Sequence, residues 1–167
     1  MNKYLPMRII YVILSIAILT GCVTRGPIKE ASFNSLVDSS VSNKVLLSGP
    51  GDLLPNVDGF SFFSNYDLKS RGPSAVSKGV LACTKDELVY LSWDEKNKIY
   101  KNELVIKYAD MQSLELRKFG LGTRIVLTDN ELGLYSLYFV ENNEQFVDGK
   151  MNERAFKLMW KHKNDKS

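Results

Sequence analysis

The chain has 167 residues, with 22 basic and 19 acidic side chains, one histidine and two cysteines. Its formal net charge of +3 is far from the strongly basic character typical of nucleic-acid-binding domains. A single histidine also argues against a histidine-based metal cluster, a Ser-His-Asp constellation or a Cys-His pair. We therefore expect no nucleic-acid partner, no cofactor and no metal, in a chain long enough for one domain.

The first 22 residues have the order of an export signal. Lys3 and Arg8 precede an apolar run at residues 9–19, which leads into Leu19-Thr20-Gly21-Cys22. This run is shorter than the ~20 residues that a transmembrane helix needs, so an uncleaved membrane anchor is disfavoured. An ordinary secretory signal, in which Cys22 falls near the cut by chance, is the alternative.

The ending Leu19-Thr20-Gly21-Cys22 closely resembles the lipobox of bacterial lipoproteins. The resemblance implies cleavage between Gly21 and Cys22, an S-diacylglycerol group and an N-acyl chain (palmitate) on Cys22, and anchoring to a membrane without spanning it. Val23 stands where Gram-negative lipoproteins retained in the inner membrane tend to carry Asp. The resemblance therefore implies the bacterial cell envelope, at the outer membrane facing the periplasm. Removing the signal peptide, residues 1–21, leaves 146 residues with a net charge of about +1.

The next two segments carry little regular pattern. Residues 22–43 are rich in serine, and we expect a flexible tether with a span of about 25 Å and at most a turn of helix at 33–37. Residues 44–75 hold several Gly and Pro residues around the apolar fragments 45–47 and 60–63. We expect an irregular extension there, with one or two short strands that cover a sheet edge.

The region 76–167 changes to short runs of alternating apolar and polar residues joined by turns. Alternation over such lengths predicts an antiparallel sheet with one buried face. The predicted strands are 78–84, 88–93, 103–108, 111–118, 123–128 and 133–140.

The final segment has helical rather than strand spacing. Phe156, Met159 and Trp160 recur on one side of the predicted helix, so this side is expected to pack on the sheet. Asp148 or Asn152 is expected to cap the start of the helix.

Two segments of this region resemble the pleckstrin-homology (PH) superfold, and within it the GRAM-like branch. Residues 79–90, Gly-Val-Leu-Ala-Cys-Thr-Lys-Asp-Glu-Leu-Val-Tyr, are similar to the first GRAM hairpin. Residues 105–114 resemble the later Ile-x-Tyr-x-Asp-Ile-x-x-Ile segment of that family. The resemblance implies a mainly-β fold: an antiparallel split barrel of about six to seven strands with a C-terminal amphipathic helix.

The same resemblance implies a module that binds phosphoinositides, peptides or protein surfaces, or that serves as a scaffold. Phosphoinositide-binding members usually concentrate Lys and Arg around the first hairpin. Here Lys85 is followed by Asp86 and Glu87, so the local charge opposes binding of an inositol phosphate.

Residues that invite a chemical role have simpler interpretations. Cys83 lies in an apolar run and is expected to be a small buried hydrophobe rather than a reactive thiol. The acidic pairs at 86–87 and 94–95 fall in predicted loops, and Gly120-Leu121-Gly122 is expected to be a hairpin turn. The remaining candidates, which we expect to lie on a solvated or exposed surface, are Arg117, Lys118, Arg124, Lys157, Lys161, Lys163 and Tyr138.

The leading hypothesis is therefore a non-enzymatic, lipid-anchored lipoprotein that binds an envelope protein or serves as a scaffold. The alternative is a carrier that holds a lipid or small apolar ligand between sheet and helix. Its cavity would be lined by Leu91, Leu116, Leu127 and Phe156. An envelope hydrolase would require a nucleophile and a base that the sequence pattern does not indicate.

Overall fold

A computed structural model describes residues 25–55, 76–119, 122–131, 133–141 and 146–165. The predicted lipobox residues Gly21 and Cys22, the aromatic fragment 60–63 and the turn residues 120–121 lie outside these ranges. The elements in chain order are α1 (Phe33–Ser40), β1 (Leu47–Pro55), β2 (Ser77–Cys83), β3 (Glu87–Asp94), β4 (Ile99–Lys107), a 3-10 turn (Tyr108–Asp110), β5 (Met111–Phe119), β6 (Gly122–Asp129), β7 (Leu134–Phe139) and α2 (Gly149–Asn164).

The seven strands form one antiparallel sheet in the order β4-β3-β2-β1-β7-β6-β5. Every strand contributes side chains to a common core, for example Leu81 of β2, Ile125 of β6 and Leu137 of β7. The sheet therefore curls around that core as a split barrel, with β4 and β5 as its two edges. The C-terminal helix α2 adds Ala155 and Met159 to the same core. The predicted mainly-β, PH-like fold class is confirmed.

Strand β1 corrects the prediction that short strands near residue 47 cover a sheet edge. It lies at the centre of the sheet, where Gly51 faces Gly79 of β2 and Phe139 of β7. The sequence Gly49-Pro50-Gly51 is typical of a loop, but the packing of the sheet requires a glycine at position 51. A Cβ on Gly51 would lie 2.5 Å from Cδ1 of Leu81. The sheet thus begins at Leu47, ahead of the expected boundary at residue 76.

Residues 25–43 correct the expectation of a flexible tether. Helix α1 packs on the outer face of the β2–β4 part of the sheet, and Val37 is fully buried there. This second core lies on the opposite side of the sheet from the barrel interior, because alternate residues of a strand point to opposite faces. Its buried members are Val37, Val41, Val80, Ala82, Val89, Leu91 and Tyr100.

Helix α2 is joined to the sheet by polar as well as apolar contacts. The Asp148 side chain caps the helix by accepting a hydrogen bond from the Met151 backbone N–H, at 2.9 Å. Asn152, the other predicted cap, has a different role. Its fully buried side chain accepts a hydrogen bond from the Phe139 N–H and donates one to the Thr123 carbonyl, both at 2.8 Å.

Replacing Asn152 by Leu is expected to lower the free energy of unfolding by about 2–4 kcal/mol. The substitution leaves a buried N–H on β7 and a part-buried carbonyl on β6 without these hydrogen bonds. Glu153→Leu is the matched control, because it introduces the same side chain at the next, exposed position of α2. Urea unfolding measures both, and an equal loss in the two variants would contradict the expected role of Asn152.

Candidate functional site

A buried ion pair lies at the start of the described residues. Arg25 and Asp52 of β1 are 3% and 6% exposed, and the Arg25 guanidinium donates a hydrogen bond to the Asp52 carboxylate. Tyr138 of β7 lies beside the same carboxylate. Burial and then the Asp52 charge raise the pKa of the Tyr138 hydroxyl above its ordinary value. The pair fastens the N-terminal segment to the centre of the sheet.

A second set of contacts holds the backbone of this segment. The Tyr100 hydroxyl donates a hydrogen bond to the Arg25 carbonyl at 2.9 Å, and burial raises the pKa of Tyr100 to about 12. Gly26 has a φ of 77° and lies against Trp93, where a Cβ would be 2.7 Å from the indole ring. Glycine is therefore required here both by its positive φ and by the close approach.

Aromatic packing continues from these contacts to α1. The ring of Tyr100 lies 5.0 Å from that of Trp93 and 6.1 Å from that of Phe33, in edge-to-face arrangements. Such pairs add about 0.5–1.5 kcal/mol beyond the burial of their area. Residues 25–41, with their ion pair, hydrogen bond and aromatic contacts, are called the N-terminal clasp below.

A cleft of about 620 Å³ opens beside the C-terminal end of the edge strand β4. Its acidic side chains, Asp110, Asp129 and Glu131, outnumber the single cation Lys107. Asp129 also shapes the wall of the cleft, since it accepts hydrogen bonds from the Gly133 N–H at 2.8 Å and the Tyr135 hydroxyl at 3.1 Å. The full lining is Leu104, Val105, Ile106, Lys107, Asp110, Asp129, Asn130, Glu131 and Tyr135.

The predicted loop carboxylates have structural partners. Asp94 accepts hydrogen bonds from the backbone N–H groups of Lys96 and Asn97 in the β3–β4 hairpin. The hydrogen bond from Lys101, followed by those from Asn97, lowers the pKa of Asp94 below its usual range. In the other pair, Glu87 accepts a hydrogen bond from the Asn43 side chain at 2.9 Å. Both pairs therefore organise turns and the segment packed beside them.

Cys83 is fully buried in the barrel core, as predicted. Burial raises the pKa of its thiol from 9.0 to about 12. Tyr108, also fully buried, donates a hydrogen bond to the Thr84 carbonyl at 3.0 Å, and its ring stacks on His162 of α2. The histidine thus serves the packing of the helix against the 3-10 turn.

Cys83 is expected to resist alkylation at pH 8 in the folded protein. Burial keeps the thiol protonated at pH 8, because its pKa is raised to about 12, and the sulfur is also inaccessible to reagent. In a Cys22→Ser variant Cys83 is the remaining cysteine, so mass spectrometry after iodoacetamide treatment measures the alkylation of Cys83 alone. Rapid labelling is expected in urea, and equal labelling without urea would contradict this account.

Two surface predictions need correction. Arg124 is only 5% exposed, although its neighbour Ile125 points into the barrel core and Arg124 therefore faces outward. Tyr138 also faces outward but is half-buried beside Asp52. Arg117 is paired with Glu115 and Lys163 is partly buried, whereas Lys118, Lys157 and Lys161 are exposed as expected.

The cavity expected for an apolar ligand is not formed by the predicted residues. Leu91 belongs to the outer core under α1, whereas Leu116, Leu127 and Phe156 belong to or pack on the barrel core. The sheet separates the two sets, so they cannot line one binding cavity.

The key residues Arg25 and Asp52 were missed in the sequence because no local pattern marks them. Arg25 falls in a serine-rich segment and Asp52 in a Gly-Pro-rich one, and a pairing across 27 residues leaves no periodic signal. Within the described ranges, no helix has the length and apolar character to cross a bilayer. Those ranges also hold no group of three or more His, Cys, Asp or Glu side chains placed to bind a metal ion.

Compared by sequence, the chain matches no protein-family model and no curated protein. Among solved structures it is similar to the Slm1-PH domain in complex with phosphoserine, with a TM-score of 0.39 at 18% identity over 68% of this chain and 91% of that one. A structure from a screen for protein–lipid interactions in Saccharomyces cerevisiae gives 0.39 at 17% identity, over 68% of this chain and 92% of that one.

An apo structure of the activated truncation of Vav1 has a TM-score of 0.48 at 8% identity. This similarity covers 98% of the present chain and 40% of the Vav1 chain, so the present chain spans about two fifths of that protein's length. At these identities and TM-scores the similarities carry no functional argument. The assignment to the PH-like class rests on the strand order and on the position of α2.

Proposed function

We propose that this chain is a bacterial lipoprotein anchored through Cys22, whose PH-like domain acts as a non-catalytic protein-binding or scaffold module. The proposed location is the periplasmic face of the envelope, at the outer membrane. The single observation that carries the proposal is the lipobox-like Leu19-Thr20-Gly21-Cys22, which immediately precedes a segment fastened to the domain. Within the PH-like class, residues 79–90 and 105–114 support the GRAM-like branch.

The cleft beside β4 is the surface we assign to the protein partner. It joins exposed apolar area at Val105 to an excess of carboxylates, so it suits a segment that carries both apolar and basic side chains. β4 is also an edge strand of the sheet, with no strand partner on its outer side among the described residues.

Lipidation is tested by growing cells with an alkyne analogue of palmitate and purifying the protein. We expect the label on a peptide that begins at Cys22, and co-sedimentation of the protein with membranes. The Cys22→Ser variant is the matched control and is expected to lose both. A mature protein with another N-terminus and no label would refute the anchor.

Partner binding is tested by placing a photo-crosslinking amino acid at Val105, in the cleft, or at Ile99, on the same strand outside it. The two positions are matched, since they are 46% and 45% exposed. We expect a discrete protein adduct from Val105 and none from Ile99 in intact cells. Equal adducts from both positions, or none at Val105, would count against the cleft as the binding surface.

A further inference from the structure

The clasp fixes where the lipid anchor leaves the domain, and the inference drawn from it rests on the lipidation proposed above. Three peptide steps separate Cys22 from Arg25, and they span at most about 11 Å. Arg25 is held by the Tyr100 hydroxyl, and Gly26 lies on Trp93. Trp93 is near the end of β3 and Tyr100 near the start of β4, and the register pairs them directly. The anchor therefore leaves the domain at this end of the sheet.

The surface at this end suits a bilayer. Ile99 and Val76, at the starts of β4 and β2, remain 45% and 43% exposed although both are large apolar side chains. Four exposed lysines lie near them in the sequence, and because Lys98 and Lys101 are paired with Glu95 and Asp94, the net positive charge of this group comes from Lys78 and Lys96. We name this set the hairpin-end surface: Val76, Lys78, Lys96, Lys98, Ile99 and Lys101.

Apolar side chains flanked by lysines match the chemistry of a membrane interface. The apolar groups enter the boundary between head groups and acyl chains, and lysine ammonium groups attract anionic lipids. Each contact is weak by itself. The anchor at Cys22 keeps Arg25 within about 11 Å of the lipid-bearing residue, so weak contacts suffice to orient the domain.

We infer that the hairpin-end surface lies against the lipid head groups, so that the domain rests on the membrane in one orientation. The C-terminal end of β4, which carries Val105, lies at the opposite end of this strand from Ile99. Val105 lies six residues along β4 from Ile99, which corresponds to about 20 Å. These two positions therefore report the orientation.

The test uses the full mature lipoprotein in vesicles of anionic phospholipid that contain a spin-labelled lipid. Ile99→Cys and Val105→Cys are labelled separately with an environment-sensitive fluorophore. Both positions are exposed, Cys22 is acylated, and the buried Cys83 does not compete for the label. We expect the spin-labelled lipid to quench the probe at residue 99 at least about threefold more strongly than the probe at residue 105.

The outcomes separate this inference from the proposed function. Equal quenching at the two positions, or stronger quenching at residue 105, in protein that floats with the vesicles would overturn the orientation and leave lipidation intact. Protein that lacks the lipid and does not float would overturn both. Reversal of charge at Lys96 and Lys98 in floating protein is expected to reduce quenching at residue 99, which a purely passive tether would not do.

Discussion

Replacing Asp52 by Asn is expected to destabilise the protein by about 3–5 kcal/mol. The substitution removes the carboxylate beside Arg25, whose side chain is 2% exposed, and leaves the guanidinium charge desolvated. Urea unfolding followed by tryptophan fluorescence measures the loss as a lower midpoint. Because Trp93 lies under Gly26, the same signal reports opening of the clasp.

Two controls separate the loss of the ion pair from a general effect of substitution. The double variant Arg25→Met with Asp52→Leu replaces both charges by apolar groups, and we expect it to recover most of the stability. Glu115→Gln removes one member of the exposed pair with Arg117, and we expect a change of less than about 0.5 kcal/mol. A loss below about 1 kcal/mol in Asp52→Asn would show that water solvates the pair.

Replacing Val37 by Asp is expected to release the clasp while the barrel stays folded. Val37 is fully buried, so the new carboxylate would lie in an apolar core and cost the clasp about 3 kcal/mol or more. The barrel core on the other face of the sheet contains none of the side chains of α1. Local opening of residues 25–41 is therefore expected without global unfolding.

Limited trypsin digestion measures this opening through cleavage after Lys29, which lies within the clasp. A loss of about 3 kcal/mol raises the open fraction, and so the cleavage rate, about a hundredfold. Asn34→Asp introduces the same side chain at an exposed position of α1 and should leave the rate nearly unchanged. Fast cleavage of the unmodified protein at this site would instead support the flexible tether that the serine-rich sequence suggested.

The predictions for Asp52→Asn and Val37→Asp bear on function because the clasp determines how far the domain can move from its proposed anchor. A flexible tether would let the domain sample many orientations at about 25 Å from its anchor. With the proposed lipid on Cys22, a fastened clasp would leave only the three steps from Cys22 to Arg25 and would restrict the domain to the membrane surface. In Val37→Asp, the quenching difference between residues 99 and 105 is therefore expected to shrink.

The sequence by itself determined the strands after residue 76, the C-terminal helix and the burial of Cys83. These follow from local signals: alternation with a period of two, apolar residues at helical spacing, and a cysteine inside an apolar run. Chain order and short turns then restrict such strands to an antiparallel meander. The predicted lipobox is also a local signal, and it stays a prediction because Cys22 lies outside the described residues.

The tertiary structure alone decided the role of the first part of the chain. Gly51 lies in a central strand, and glycine is required there because Leu81 fills the space that a side chain would need. No neighbour in the sequence reveals this contact. Residues 25–43 fold because the outer face of the sheet is apolar at Val80 and Leu91, and a serine-rich sequence carries no trace of a surface formed 40 residues later. The pairing of Arg25 with Asp52 likewise depends on the fold, since two charges become partners only when long-range packing removes water from both.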